Sequence, residues 1–172
     1  MNGGKNRLSY WDSGIFLAWL TNESRSEEDT LGIRHLIDGF STGKGLIFAS
    51  TILLAEVLDA RLSEKSRDLF RGLRANRSFH FIDVTIPTAA RAAEIRYYYS
   101  NKSDGLPGLS TPDAIHLATA TVHRCDVFYT FDGADKPGKQ RGLLPLNEYF
   151  YGTYGLRIER PRPEGQIALE LC

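Results

Sequence analysis

The chain has 172 residues, 42% of them hydrophobic and 24% charged, which suits one domain able to bury roughly 70% of its unfolded surface without covalent staples. Its 21 basic and 21 acidic residues cancel, so no overall basic character points to nucleic acid and any such contact must come from a local patch. Two cysteines, Cys125 and Cys172, and four scattered histidines exclude a disulfide framework and a zinc finger; the lack of a secretory leader or an apolar run of about 20 residues predicts a soluble, cytoplasmic protein with no membrane contact.

In chain order, Leu8 to Trp11 reads as a short strand ending at Asp12, with Ser13 as the N-cap of a helix through Ile15, Phe16, Leu17, Trp19 and Leu20. Residues 21–30 are polar, and Leu31, Ile33, Leu36, Ile37 and Phe40 then recur near helical spacing. Gly43 and Gly45 bracket a turn before a buried strand over 46–49. Ser50 or Thr51 opens a helix from Ile52 to about Ser63, and a charged helix follows from Glu64 to about Ala75. Residues 79–84 read as a third strand, and Pro87 fits the first turn of the next helix. Residues 101–109 are a polar Gly/Pro loop. Ser110-Thr111-Pro112-Asp113 then supplies a hydroxyl cap, a proline and an acid, and so starts a helix running to about His123. Residues 126–130 form a fourth strand and 132–142 a polar loop. Residues 155–161 hold a last short strand, with a loosely held tail over about 162–172. Strands alternating with helices imply βαβ units, hence one α/β domain over 1–172 with a parallel sheet and helices on both faces.

In open α/β sheets ligands bind outside the carboxyl ends of the strands, and that is where the acids fall. Asp12 ends the first strand, Glu56 lies one to two turns into the helix after the second, Asp113 opens the helix before the fourth, and Asp132 ends the fourth, with Asp135 three residues on. Glu56 has apolar neighbours on both sides in Ile52-Leu53-Leu54-Ala55-Glu56-Val57-Leu58, an expensive place for a carboxylate unless a partner or cation compensates it. Clustered carboxylates repel and raise one another's pKa, and a divalent cation resolves the repulsion. Oxygen-only ligation suits Mg²⁺ or Mn²⁺, and two such ions roughly 3.5–4 Å apart support in-line displacement at phosphorus. Taken singly, each acid also has a plain structural role: Asp12 a turn residue, Asp113 a dipole partner, Asp132 before Gly133 an Asx turn.

Other features read as structural. Tyr97-Tyr98-Tyr99 suits helix packing, and His116, one turn after Asp113, suits a structural role near the site. Arg67, Arg71 and Arg74 share a helical face that is either solvated or a phosphate-contacting rim. Lys136, Lys139 and Arg141, just after Asp132, are placed to hold the backbone of a strand entering the site.

Four pieces in order, Tyr10-Trp11-Asp12-Ser13, Ser50-Thr51-x4-Glu56, Thr111-Pro-Asp113-Ala-Ile-His-Leu-Ala118 and Thr130-Phe-Asp132-Gly-Ala-Asp135, resemble the PIN-domain nucleases, especially the VapC-like toxins. The resemblance covers roughly residues 8–161. It implies a three-layer αβα sandwich with a parallel sheet of about five strands, and a Mg²⁺- or Mn²⁺-dependent endoribonuclease acting on RNA. It carries Asp12, Glu56, Asp113 and Asp132 to the acidic quartet, Asp135 to a less regular fifth acid, and Ser13 and Thr130 to polar positions that orient acids or waters. It further implies a homodimer and, for a toxin member, a cognate antitoxin protein. The chain departs from a compact toxin in its longer segment 133–172 and in Trp11 before the first acid. Two rivals stand beside the nuclease: a non-catalytic PIN-like module binding RNA or protein, and a Mg²⁺-dependent phosphatase. The missing Asp-x-Asp motif after the first strand speaks against the phosphatase.

Overall fold

The computed structural model describes residues 7–43, 45–59, 62–133 and 141–163. Five strands, β1 (Arg7–Trp11), β2 (Gly45–Ser50), β3 (Phe79–Ile82), β4 (Val127–Tyr129) and β5 (Arg157–Glu159), form one sheet in the order β3-β2-β1-β4-β5. All pairings are parallel, with Tyr10 of β1 opposite Phe48 of β2 and Phe128 of β4. Helices α1 (Ser13–Thr21), α2 (Glu27–Ser41), α3 (Leu53–Asp59), α4 (Glu64–Arg74), α5 (Ile86–Ser100), α6 (Thr111–Val122) and α7 (Asn147–Tyr154) complete the expected three-layer α/β architecture.

The strands carry apolar residues on both faces because both faces are covered. Alternate residues Tyr10, Phe128 and Ile158 meet Ile95 of α5, Leu117 of α6 and Phe150 of α7 in one core. Trp11, Ile47, Ala49 and Val127 pack on the other side against Phe16 of α1, Leu53 of α3 and Phe70 of α4. The stacked rings of Tyr10 and Phe128, with centroids 5.1 Å apart, join β1 to β4. Such a pair contributes about 0.5–1.5 kcal/mol beyond its buried area.

Helix starts follow their caps. Ser63 Oγ accepts from the amide of Ser66, and Ser110 Oγ from that of Asp113. Ser26 caps α2 through the amide of Asp29, and Glu27, Glu28 and Asp29 favour its positive end. This helix therefore begins four residues before the apolar spacing starts at Leu31. The cap of α1 is Asp12 rather than Ser13: its Oδ1 accepts the Ser13 amide at 2.8 Å. The helix expected to reach Ser63 ends at Asp59, because Ser63 is itself the cap of α4.

Helix α7 and the 3₁₀ turn Leu144–Leu146 before it are not among the expected elements. Their signals are Pro145 opening the turn and Gly155 closing the helix at φ +67°, the left-handed conformation that glycine adopts freely. Cys125 is a buried free thiol, pushed up to about 12 by burial and by Asp126. Of the expected tail, Arg162 and Pro163 are half-buried, while 164–172 lie outside the described residues. No helix among the described residues is long and apolar enough to cross a membrane.

Candidate active site

From β1 the chain moves outward to β2 and β3, then returns to β4 and β5 on the other side of β1. The order therefore reverses between β1 and β4, and a doubly wound sheet opens a crevice at the carboxyl ends of that pair. Asp12 follows β1 there. It is buried, its amide donates to the carbonyl of Tyr129, and its Oδ2 accepts from Thr130 Oγ1 at 2.8 Å. The Thr130 hydroxyl in turn accepts the Asp132 amide at 3.0 Å. One threonine thus ties the ends of both strands together. Ser13 supports Asp12 through its backbone N–H at 2.8 Å.

Asp113 stands in the first turn of α6. Ser110 Oγ donates to its Oδ2 at 2.6 Å while accepting its amide, a reciprocal cap that fixes the carboxylate. Glu56, in the first turn of α3, meets a partner that sequence reading left in a structural role. His116 Nε2 lies 2.8 Å from Glu56 Oε2, and its Nδ1 lies 2.6 Å from Tyr10 Oη. The Tyr10 hydroxyl also accepts the Ser50 amide at 2.8 Å. With the ring neutral, Tyr10 donates to Nδ1 and Nε2–H donates to Glu56. The i,i+3 spacing from Asp113 puts His116 on the same helix face. Tyr10 gives no signal in the sequence beyond its place in an apolar strand.

The electrostatics show which acids are brought together. Burial raises the pKa of Asp12, and Glu56 raises it further, against His116 and the hydrogen bonds from Thr130 and Ser13. Burial likewise raises Asp113, with Asp12 and Asp132 adding their repulsion. At His116 burial disfavours the cation, but the hydrogen bond to Glu56 and the charges of Asp12, Glu56 and Asp113 outweigh it and raise its pKa. Asp12, Asp113 and Asp132, with Glu56 and His116 alongside, thus form one interacting group at one edge of the sheet. Asp135 lies outside the described residues, as do Lys136 and Lys139.

Arg141 does not face an incoming strand, contrary to expectation. It is buried, grips Asp104 with two bonds of 2.8 Å and donates to the carbonyl of Pro107 at 2.9 Å. It thereby anchors the loop that leads into α6, and holds the Asp104 carboxyl well below the usual carboxylate range. On α4, Arg71 pairs with Asp68 and Glu64 of its own helix.

Among the described residues, no three His, Cys, Asp or Glu side chains form a ready-made metal cage. The donor chemistry nevertheless fits a hard divalent cation. The carboxylates offer oxygen alone; burial and mutual repulsion raise the pKa of both Asp12 and Asp113, and a cation would relieve that repulsion.

A PIN domain family model matches residues 9–134, a span that takes in Asp12, Glu56, Asp113 and Asp132. No curated protein matches the sequence. Among solved structures, a chain of VapBC2 from Rickettsia felis bound to a promoter DNA fragment superposes with a TM-score of 0.57 at 15% identity, covering 89% of this chain and 98% of that one. A chain of DNA-bound VapBC from Salmonella typhimurium gives 0.55 at 17%, covering 91% and 98%. A chain of a toxin–antitoxin complex from Klebsiella pneumoniae gives 0.54 at 22%, covering 90% and 98%. At these identities the likeness is one of fold. With a family match over most of its length, and a parallel sheet that gathers carboxylates at its switch point, the chain belongs to the PIN domain family.

Proposed function

We propose that this PIN domain is a metal-dependent endoribonuclease that hydrolyses RNA phosphodiester bonds, and that it is the toxin of a type II toxin–antitoxin pair. The observation that carries the reading is Asp12, a buried carboxylate between β1 and β4 that interacts electrostatically with Glu56 and Asp113. Asp12, Asp113 and Asp132 would hold Mg²⁺ or Mn²⁺ directly. When bound, such an ion polarises a phosphoryl oxygen and offsets the negative charge that develops on it. Thr130 and the Ser13 amide hold Asp12 in place. Glu56, steadied by His116, contributes an oxygen or orients the attacking water. Asp135 is a further candidate donor. The toxin role draws on the fold neighbours, which come from toxin–antitoxin complexes. A homodimer, a cognate antitoxin and a cytoplasmic setting belong to the same reading.

The purified protein is expected to cleave single-stranded RNA with Mg²⁺ or Mn²⁺ and to stop with EDTA. Asp12→Asn and Asp113→Asn should each lose about a hundredfold or more in rate, since a metal supplies several kcal/mol to the transition state. Full activity in either variant, with the fold intact by circular dichroism, refutes the assignment.

A second reading, a non-catalytic PIN-like module that binds RNA or protein, is favoured by one observation: Glu56 already has a partner in His116. Calorimetry with Mn²⁺ separates the two. The nuclease binds the ion, and Glu56→Gln binds it more weakly; a module shows no saturable heat in either form.

A further inference from the structure

Tyr10 of β1 is fully buried, and two ring contacts hold it in place. It stacks on Phe128 with 6° between the planes, and it meets His116 edge-on with centroids 5.7 Å apart. Its hydroxyl therefore has little room to swing between the Ser50 amide at 2.8 Å and His116 Nδ1 at 2.6 Å. A phenol has one hydrogen to give. The Ser50 N–H can only donate, so it takes a lone pair of the phenol oxygen. A second N–H, from Nδ1, would leave the phenol hydrogen buried without an acceptor, a costly arrangement. The phenol hydrogen thus goes to Nδ1, and the ring's own hydrogen stands on Nε2, 2.8 Å from Glu56 Oε2. The bonds run one way, from the end of β2 through β1 and α6 to the carboxylate on α3.

His116 is 1% exposed, so it cannot touch a substrate itself. Glu56 is half-buried, and its charge acts on Asp12. No other hydrogen bond reaches Glu56 among the described residues, so the clamp on Oε2 leaves Oε1 unengaged. We infer that Tyr10 and His116 are positioning residues that act through Glu56: their one-way hydrogen-bond chain holds one carboxylate oxygen and leaves the other to the acidic edge. The inference rests on the nuclease reading and adds the two residues that set Glu56 within it. Partners of this kind fix a carboxylate's orientation before an ion arrives. Asp113 is held in the same manner, by Ser110 through Oδ2.

Mn²⁺ calorimetry and RNA cleavage on variants test the chain. His116→Leu should lose about ten- to a hundredfold in both Mn²⁺ affinity and kcat, with KM for RNA near the wild type because the residue does not reach substrate. His116→Gln, whose amide N–H can stand in for Nε2–H, should recover part of both. Tyr10→Phe should lose less, about two- to tenfold, since it removes a neutral bond one step away. On a Glu56→Gln background His116→Leu should add little, because residues acting through one another are not additive. Nitrogen NMR of the metal-free protein at alkaline pH, with the ring neutral, should find the His116 hydrogen on Nε2. Tyr10→Phe combined with His116→Leu removes donor and acceptor together and keeps the test alive should His116→Leu alone unfold. Wild-type Mn²⁺ affinity in a folded leucine variant overturns the positioning role and leaves the nuclease reading standing. So does an undiminished further loss on the Glu56→Gln background, the mark of a merely structural histidine, or a ring hydrogen on Nδ1. A wild type that neither binds Mn²⁺ nor cleaves RNA is the separate outcome that removes the nuclease reading and this inference with it.

Discussion

Asp12 serves two purposes with one carboxylate, and substitutions there separate them. Its Oδ1 caps α1 and its Oδ2 is held toward the candidate site by Thr130. Asparagine caps a helix about as well as aspartate, whereas alanine loses about 1 kcal/mol. Asp12→Asn should therefore melt near the wild type and Asp12→Ala below it, with both inactive on RNA; differential scanning calorimetry beside a cleavage assay checks this. The protonation pattern has a consequence of its own. Asp12 and Asp113 titrate above their ordinary 3.8, and His116 above its ordinary 6.5. The folded protein thus binds protons at these groups more tightly than the unfolded chain does. The stability contribution of His116 is complete below 6.5 and is lost as pH rises through the folded value, and the two acids penalise the fold once ionised. In EDTA the melting temperature should fall as pH climbs from the carboxylate range through neutrality. Mn²⁺ should lift it most at the upper end. A melting curve indifferent to pH in EDTA contradicts the buried, mutually repelling acids.

At the scale of elements, α2 passes close over the backbone that follows β5. A side chain on Gly32 would begin 2.2 Å from the carbonyl oxygen of Pro161. Gly32→Ala would ordinarily favour a helix, but here it should destabilise by about 1–3 kcal/mol through overpacking, read as a shift in urea midpoint. Gly39, in the same helix with open space around it, is the control and should gain from alanine. These elements were unevenly legible in the sequence. Strands such as Leu8 to Trp11 and the capped start of α6 announce themselves, because apolar runs and hydroxyl-proline-acid order are local signals. The start of α2 at Glu27 required weighing a serine cap against a polar stretch. Helix α7 keeps helical spacing at Phe150 and Tyr154, but its eight residues are too few for the period to stand out, which leaves a proline and a terminal glycine to mark it. The long reach of Arg141 to Asp104 has no local signature at all, because it depends on where two loops meet in space.

For the whole molecule, the β3-β2-β1-β4-β5 order explains why acids far apart in sequence interact. It also explains why their convergence on one edge could be argued in advance: parallel strands deliver their ends to the same side, whatever joins them. What topology alone does not deliver is the fine positioning. The Tyr10–His116–Glu56 chain depends on Tyr10 and His116, which read as core and structural residues when taken in order, while the Thr130 link to Asp12 falls on a position that the resemblance implies orients the acids. That link also ties chemistry to the timetable of synthesis. Asp12 waits for a threonine 118 residues downstream, and a ribosome has to deliver the stretch through Asp132 before the first aspartate finds its neighbours. On the nuclease reading, truncated products ending short of that point would lack Asp132 and the Thr130 link to Asp12, and would leave the RNA around them intact.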